Sequence, residues 1–100
     1  MTISLTNPQA VKARLAAGES IVLLDVREQS EVEEWSYPVA IHIPLGELED
    51  RVGELPTGVE IICACHAGGR SMKAAAFLDS LGYEVVNLEG GRLAWAEGDA

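Results

Sequence analysis

Apolar positions in this chain follow two periods that alternate along its length. Short runs rich in β-branched and aliphatic residues lie at 21–26, 40–43, 59–63 and 85–88, with a shorter one at 2–5. Runs of this kind suit strands covered on both faces. Between them, apolar residues recur at helical spacing: Val11 and Leu15, then Leu45, Leu48, Val52 and Leu55, then Ala74, Phe77, Leu78 and Leu81. Each set makes one buried helix face. Ala74, Ala75 and Ala76 are small enough to let their helix approach a sheet closely.

The punctuation agrees. Asn7-Pro8 supplies an N-cap followed by proline in the first turn, and Gly18 closes that helix. Ser30-Glu31-Val32-Glu33 has the form of a capping box and predicts a short helix. Pro56 and Thr57-Gly58 stop the third helix. Gly82 suits the C′ position of the fourth. Gly90-Gly91 turns into a last short helix carrying Leu93 and Trp95 into the core, and residues 96–100 fray. Strands that alternate with helices, joined by connections too long for hairpins, predict an α/β domain. Its sheet is parallel, has about five strands and carries helices on both faces.

Composition narrows the function classes. A chain of 100 residues with 48% hydrophobic positions suits one domain over 1–100, its core at about 4–95. No apolar run is long enough for a membrane helix, and the start lacks a signal-peptide pattern, so a cytoplasmic protein is expected. The net charge of −9 argues against nucleic acid and anionic membranes as partners. Two cysteines, Cys63 and Cys65, do not make a secreted disulfide framework.

The chemistry concentrates at Cys65-His66-Ala67-Gly68-Gly69-Arg70-Ser71, between the 59–63 strand and the helix after it. Gly68 and Gly69 let the backbone curl. A curled loop at a helix start turns N–H groups inward and forms a cradle for an anion. Those groups, with the helix dipole, favour thiolate over thiol at Cys65. Arg70 adds positive charge, with Lys73 and Arg92 as further candidates at the mouth.

Cys-x-x-Gly-x-Arg-Ser after an apolar strand resembles the active-site loop of single-domain rhodaneses. Leu24-Asp25-Val26-Arg27-Glu28, Ile43-Pro44-Leu45, Gly82-Tyr83, Leu88-Glu89-Gly90-Gly91 and Ala94-Trp95 match in order, so the likeness runs from about Ser4 to Trp95. It implies a three-layer rhodanese-like domain and a two-step sulfur transfer. Cys65 takes a sulfane sulfur from thiosulfate or a similar small anionic donor. The resulting persulfide passes it to cyanide, a thiol or a protein acceptor. The N–H groups of residues 66–70 form the cradle, Arg70 anchors charge, Ser71 braces the helix start and His66 lines the pocket. No metal or cofactor is implied beyond the covalent persulfide. Phosphatases and arsenate reductases on this fold use Cys-x5-Arg, one residue longer than the Cys-x4-Arg here. A non-catalytic binding module is the third reading, and the presence of Cys65 removes its main support.

Other residues carry a bland reading beside a functional one. Asp25 reads as a structural carboxylate rather than a catalytic one. Arg27 faces the mouth or makes a surface ion pair. Trp35 and Tyr37 stand where many rhodaneses carry a glycine-containing turn (Gly-His-Ile-Pro-Gly-Ala), and this leaves the 35–40 turn open. They fill a hydrophobic gap or form a small contact surface, so a monomer or weak homodimer is expected. Cys63 reads as a buried hydrophobe, with a resolving role toward Cys65 as the alternative. His42 reads as a strand residue near the sheet edge. A zinc site from Cys63, Cys65, His66 and His42 satisfies ligand count but not spacing.

Overall fold

The computed structural model describes residues 3–97. Five strands form one parallel sheet: β1 (Ser4–Thr6), β2 (Ile21–Asp25), β3 (Ile41–His42), β4 (Glu60–Ala64) and β5 (Glu84–Leu88). Their order is β1-β5-β4-β2-β3, which leaves β4 at the centre. The helices are α1 (Pro8–Ala16), α2 (Gln29–Glu34), α3 (Leu48–Arg51), α4 (Gly69–Ser80) and α5 (Gly91–Glu97). The α/β class, the five parallel strands and the helices on both faces agree with the hydrophobic pattern.

The period-two alternation sorts the core into two layers. Leu24, Ile61 and Cys63 point to the side that buries Leu48, Ala74, Ala75 and Leu78. Leu23, Ile62 and Ala64 point to the side that buries Val11, Tyr37 and Trp95. Asn7 accepts from the Ala10 N–H at 2.9 Å, and Pro8 opens α1 as the cap signal predicts.

Several local expectations shift. The first strand spans 4–6 rather than 2–5, and Thr2 lies outside the described residues. The α2 capping box falls two residues earlier than Ser30–Glu33: Glu31 accepts from the Glu28 N–H at 3.0 Å. The Leu45–Leu55 helix is a short α-helical turn between 3₁₀ turns at Leu45–Glu47 and Val52–Glu54. Leu81, the residue after α4, and Leu93 in α5 are about half exposed, and Ala76 also faces outward. Of the residues expected to fray, 96 and 97 continue α5, and 98–100 lie outside the described residues.

The 35–40 turn resolves into a packed aromatic cluster. Tyr37 is buried, and its ring meets Trp35 and Trp95 edge-on at 4.8 and 5.3 Å. It fills the hydrophobic gap. The cost falls on Val39, which is exposed and takes a φ of 50°, a left-handed conformation that crowds a β-branched side chain.

Relieving that crowding stabilises the domain. Val39→Gly gains about 1 kcal/mol after the extra unfolded-state freedom of glycine is subtracted. A urea titration reads the gain as a higher midpoint at unchanged slope. A lower midpoint contradicts the strain.

Candidate active site

The site forms where open α/β sheets place their ligands, beyond the carboxyl ends of the strands. β4 ends at Ala64, and the next residues curl into the start of α4. Gly68 makes that curl possible at a φ of 110°, where a side chain would be strained. Gly69 differs from the sequence expectation. It has no positive φ and no neighbour near the position of a Cβ, so it serves as an ordinary first helical residue.

Cys65 is 1% exposed and packs at the edge of the core, with its sulfur in contact with the loop. The Gly68 N–H donates to Sγ at 3.0 Å, and the Ser71 hydroxyl lies 3.3 Å away. Burial pushes the Cys65 thiol up. Hydrogen bonds from the Ser71 hydroxyl and from the Ser71, Gly68 and Ala67 N–H groups together outweigh it, so the thiol ionises below its ordinary value. Of the expected cradle, the Gly68 N–H is in direct contact with the sulfur, and the Ala67 and Ser71 N–H groups add to the stabilisation of its anion.

The first two carbonyls of the loop are taken by α5 and Tyr37, which fixes the peptide planes that carry the His66 and Ala67 N–H groups. The Cys65 carbonyl accepts from the Arg92 N–H at 3.0 Å and the Tyr37 hydroxyl at 2.6 Å. The His66 carbonyl accepts from the Leu93 N–H at 3.2 Å. These are first-turn amides of α5, which lack partners within their own helix. Burial pushes the Tyr37 phenol up, which keeps it a donor. Gly91 is what lets α5 come this close. A Cβ there would stand 2.6 Å from the Cys65 oxygen and 2.7 Å from the His66 carbonyl.

Ser71 is buried and braced by Asn87 of β5. Its hydroxyl lies 2.5 Å from Asn87 Oδ1, and Asn87 Nδ2 donates to the Gly68 carbonyl at 3.2 Å. The single hydroxyl proton has three acceptors in reach: Asn87 Oδ1, the Gly68 carbonyl and the sulfur. As a thiol, Cys65 can donate to Ser71, which then donates to Asn87. As a thiolate it needs the Ser71 proton itself.

Arg70 does not stand alone toward the sulfur. Its guanidinium meets Glu31 of α2 as a two-pronged pair, Nη1–Oε1 at 2.6 Å and Nη2–Oε2 at 2.8 Å. Arg27, expected at the mouth or on the surface, is wholly buried. It grips Asp25 at 2.8 Å and donates to the carbonyls of Glu31 at 3.2 Å and Trp35 at 2.7 Å. The Glu31 carbonyl also accepts from the Trp35 N–H at 3.0 Å, and Trp35 is the residue that follows α2, so Arg27 ties the helix to its exit. Asp25 is thus the structural carboxylate, and it anchors Arg27. His42, on the edge strand β3, holds the Arg27 carbonyl through Nε2 at 2.7 Å.

His66 is partly exposed, and its ring has no hydrogen-bond partner among the described residues. Lys73 is exposed. Arg92 lies over the Trp35 ring at 5.1 Å. Cys63 is a fully buried free thiol pushed up to about 12 by burial and then by the charge of Cys65. It behaves as a small hydrophobe. Among the described residues, no cluster of three or more His, Cys, Asp or Glu side chains could hold a metal ion, and no helix is long and apolar enough to cross a membrane. Tyr37, Asn87, Gly91 and Glu31 escape the sequence reading. Each acts across a distant stretch of chain, and only the glycine after Glu89-Gly90 gave a local signal.

The Rhodanese-like domain family matches residues 7–98. YtwF of Bacillus subtilis strain 168, provisionally named a sulfurtransferase, is 38% identical over 95 residues, covering 95% of this chain and 92% of that protein. A sulfurtransferase of Allochromatium vinosum is 35% identical over 89 residues, covering 88% and 83%. The crystal structure of a rhodanese-related protein from Thermoplasma volcanium superposes with a TM-score of 0.87 at 32% identity, covering 97% of this chain and 93% of that one. A cysteine cradled by amides after the central parallel strand, together with a family match over nearly every residue, places this chain in the rhodanese-like domain family, among the sulfurtransferases.

Proposed function

We propose that the domain carries a sulfane sulfur from a small anionic donor, such as thiosulfate, to a thiol, cyanide or protein acceptor, with Cys65 as the carrier. The observation behind this reading is the sulfur of Cys65 itself, held 3.0 Å from the Gly68 N–H among amides that favour its anion. The thiolate attacks the outer sulfur of thiosulfate. The S–S bond of the donor breaks, sulfite leaves with the bonding pair, and Cys65 becomes a persulfide anion. Cyanide then attacks the terminal sulfur and departs as thiocyanate, which restores the thiolate. No proton has to move in either step, so no general base is required. His66 lines the approach, and Ser71 follows the charge on the inner sulfur through its hydroxyl.

The amides of Ala67, Gly68 and Ser71 stabilise negative charge before and after transfer. The Ala67 amide is oriented before substrate arrives, because α5 holds the His66 carbonyl on the opposite side of that peptide plane. Arg70 supports the same region from the first turn of α4, with its charge shared with Glu31.

Intact-protein mass spectrometry after thiosulfate treatment reads the carrier directly. A gain of one sulfur atom, removed by reductant and mapped to Cys65 rather than Cys63, is the expected result. Cys65→Ser abolishes both the gain and sulfite release, and sulfite release that survives the substitution sinks the assignment.

The pH profile tests the cradle. Activity needs the thiolate, so the rate stays high above the lowered pKa of Cys65 and falls as pH drops through it. Ser71→Ala removes a donor that lowers that pKa, so the acid limb moves to higher pH and the rate at neutral pH drops about tenfold. An unmoved limb shows that Ser71 does not stabilise the anion.

Gly91→Ala and Gly69→Ala separate the two glycine roles. The first forces a methyl group into two carbonyls, costs about 2–3 kcal/mol in stability and lowers sulfur transfer at least about tenfold. The second leaves stability within about 0.5 kcal/mol and transfer unchanged within about twofold. Chemical denaturation and steady-state rates measured on both variants check the contrast.

A further inference from the structure

The Arg70–Glu31 pair bears on which donors the site accepts. Both side chains are about one-third exposed, at 35% and 29%, so they stand at the mouth rather than in the core. The pair is not a chance surface contact. Glu31 also accepts from the Glu28 N–H at 3.0 Å, in the first turn of α2, where a carboxylate is favoured by the helix dipole. Arg27 ties α2 to the residue that follows it through the Glu31 and Trp35 carbonyls. The carboxylate is therefore already in place when a donor arrives, and both prongs of the guanidinium are filled.

Charge at the mouth follows from this. Arg70 is offset by Glu31, and Arg27 is buried against Asp25. Arg92, over Trp35, and the exposed Lys73 have no carboxylate partner among the described residues. Offsetting Arg70 lowers the attraction that a dianion meets here, and the −9 charge of the whole chain adds to its cost.

We propose that Glu31, acting as a positioning residue through Arg70, sets the charge of the sulfur donor: the site is tuned to singly charged donors, organic persulfides and thiosulfonates, over the thiosulfate dianion. This rests on the carrier role proposed for Cys65. With a methanethiosulfonate monoanion, the Cys65 thiolate bonds to its terminal sulfur and the donor S–S bond breaks. Methanesulfinate leaves with the electron pair, and one negative charge enters and leaves on each side. Glu31 is held down at about 2, through its hydrogen bonds with Arg70, so the selector stays charged wherever Cys65 reacts.

Thiosulfate and methanethiosulfonate carry the same transferable sulfur and differ by one charge, which makes them the probes. Steady-state transfer to cyanide is measured for the wild type, Glu31→Gln, Arg70→Ala and the double variant. Glutamine keeps the acceptor for the Glu28 N–H. In Glu31→Gln, KM for thiosulfate falls about tenfold with kcat within about twofold, and KM for methanethiosulfonate changes less than about twofold. In Arg70→Ala the uncovered Glu31 raises KM for thiosulfate about tenfold more than for methanethiosulfonate. Removing Glu31 as well cancels that difference. Equal shifts for both donors, or none, overturn the inference, and Glu31→Ala, read for the same KM split, decides it if Glu31→Gln does not fold. Failure to load sulfur on Cys65 from either donor in the wild type overturns the carrier role instead, so the two failures are distinguishable.

Discussion

The carbonyls of Cys65 and His66 are held by the first amides of α5 and by the Tyr37 hydroxyl, and the active loop depends on that grip. A peptide plane has two sides. Once its oxygen is fixed on one side, its N–H must face the other. The grip therefore fixes the His66 and Ala67 N–H groups at the start of the loop, and the Gly68 N–H reaches the sulfur through the curl that follows. The close approach that permits this is available at Gly91, where even a methyl group would collide. The thiolate is stabilised by geometry set up behind it.

A second line of support runs from β2. Asp25 holds Arg27 in the core, and Arg27 spends its remaining donors on α2 and the residue that follows it. An ion pair removed from water costs desolvation, and full hydrogen bonding of the guanidinium is what offsets it. The result is a fixed helix whose first turn brings Glu31 to Arg70 and whose exit leads Tyr37 under the loop. Residues far apart in sequence thus meet in one arrangement: the sulfur, its donors, and a guanidinium with its counter-charge.

Much of this was legible in the sequence. The alternation of periods identified five strands and their helices, and Asn7-Pro8 marked the start of α1. Cys65, Gly68 and Ser71 stood out by type and spacing because they act on one another within a single turn of chain. Arg70 was legible as a cation but not as half of a pair, since Glu31 lies 39 positions away. Asn87 read as a strand residue, and Tyr37 as an aromatic filler. Nothing local marks a side chain whose partner is a backbone carbonyl in another layer. Leu81 and Leu93 failed for a different reason: periodicity says which face of a helix is apolar, not which of its residues another element covers.

The α5 grip also has a consequence in time. Ribosomal synthesis delivers residues 91–97 after the loop, and β5, which seats beside both β4 and β1, only shortly before them. Until then the loop carbonyls have no helix to hold them, and the amides have no reason to converge on the sulfur. A nascent chain therefore carries Cys65 as an ordinary, weakly acidic thiol. Its full reactivity waits until residues 91–97 have emerged and settled against the loop.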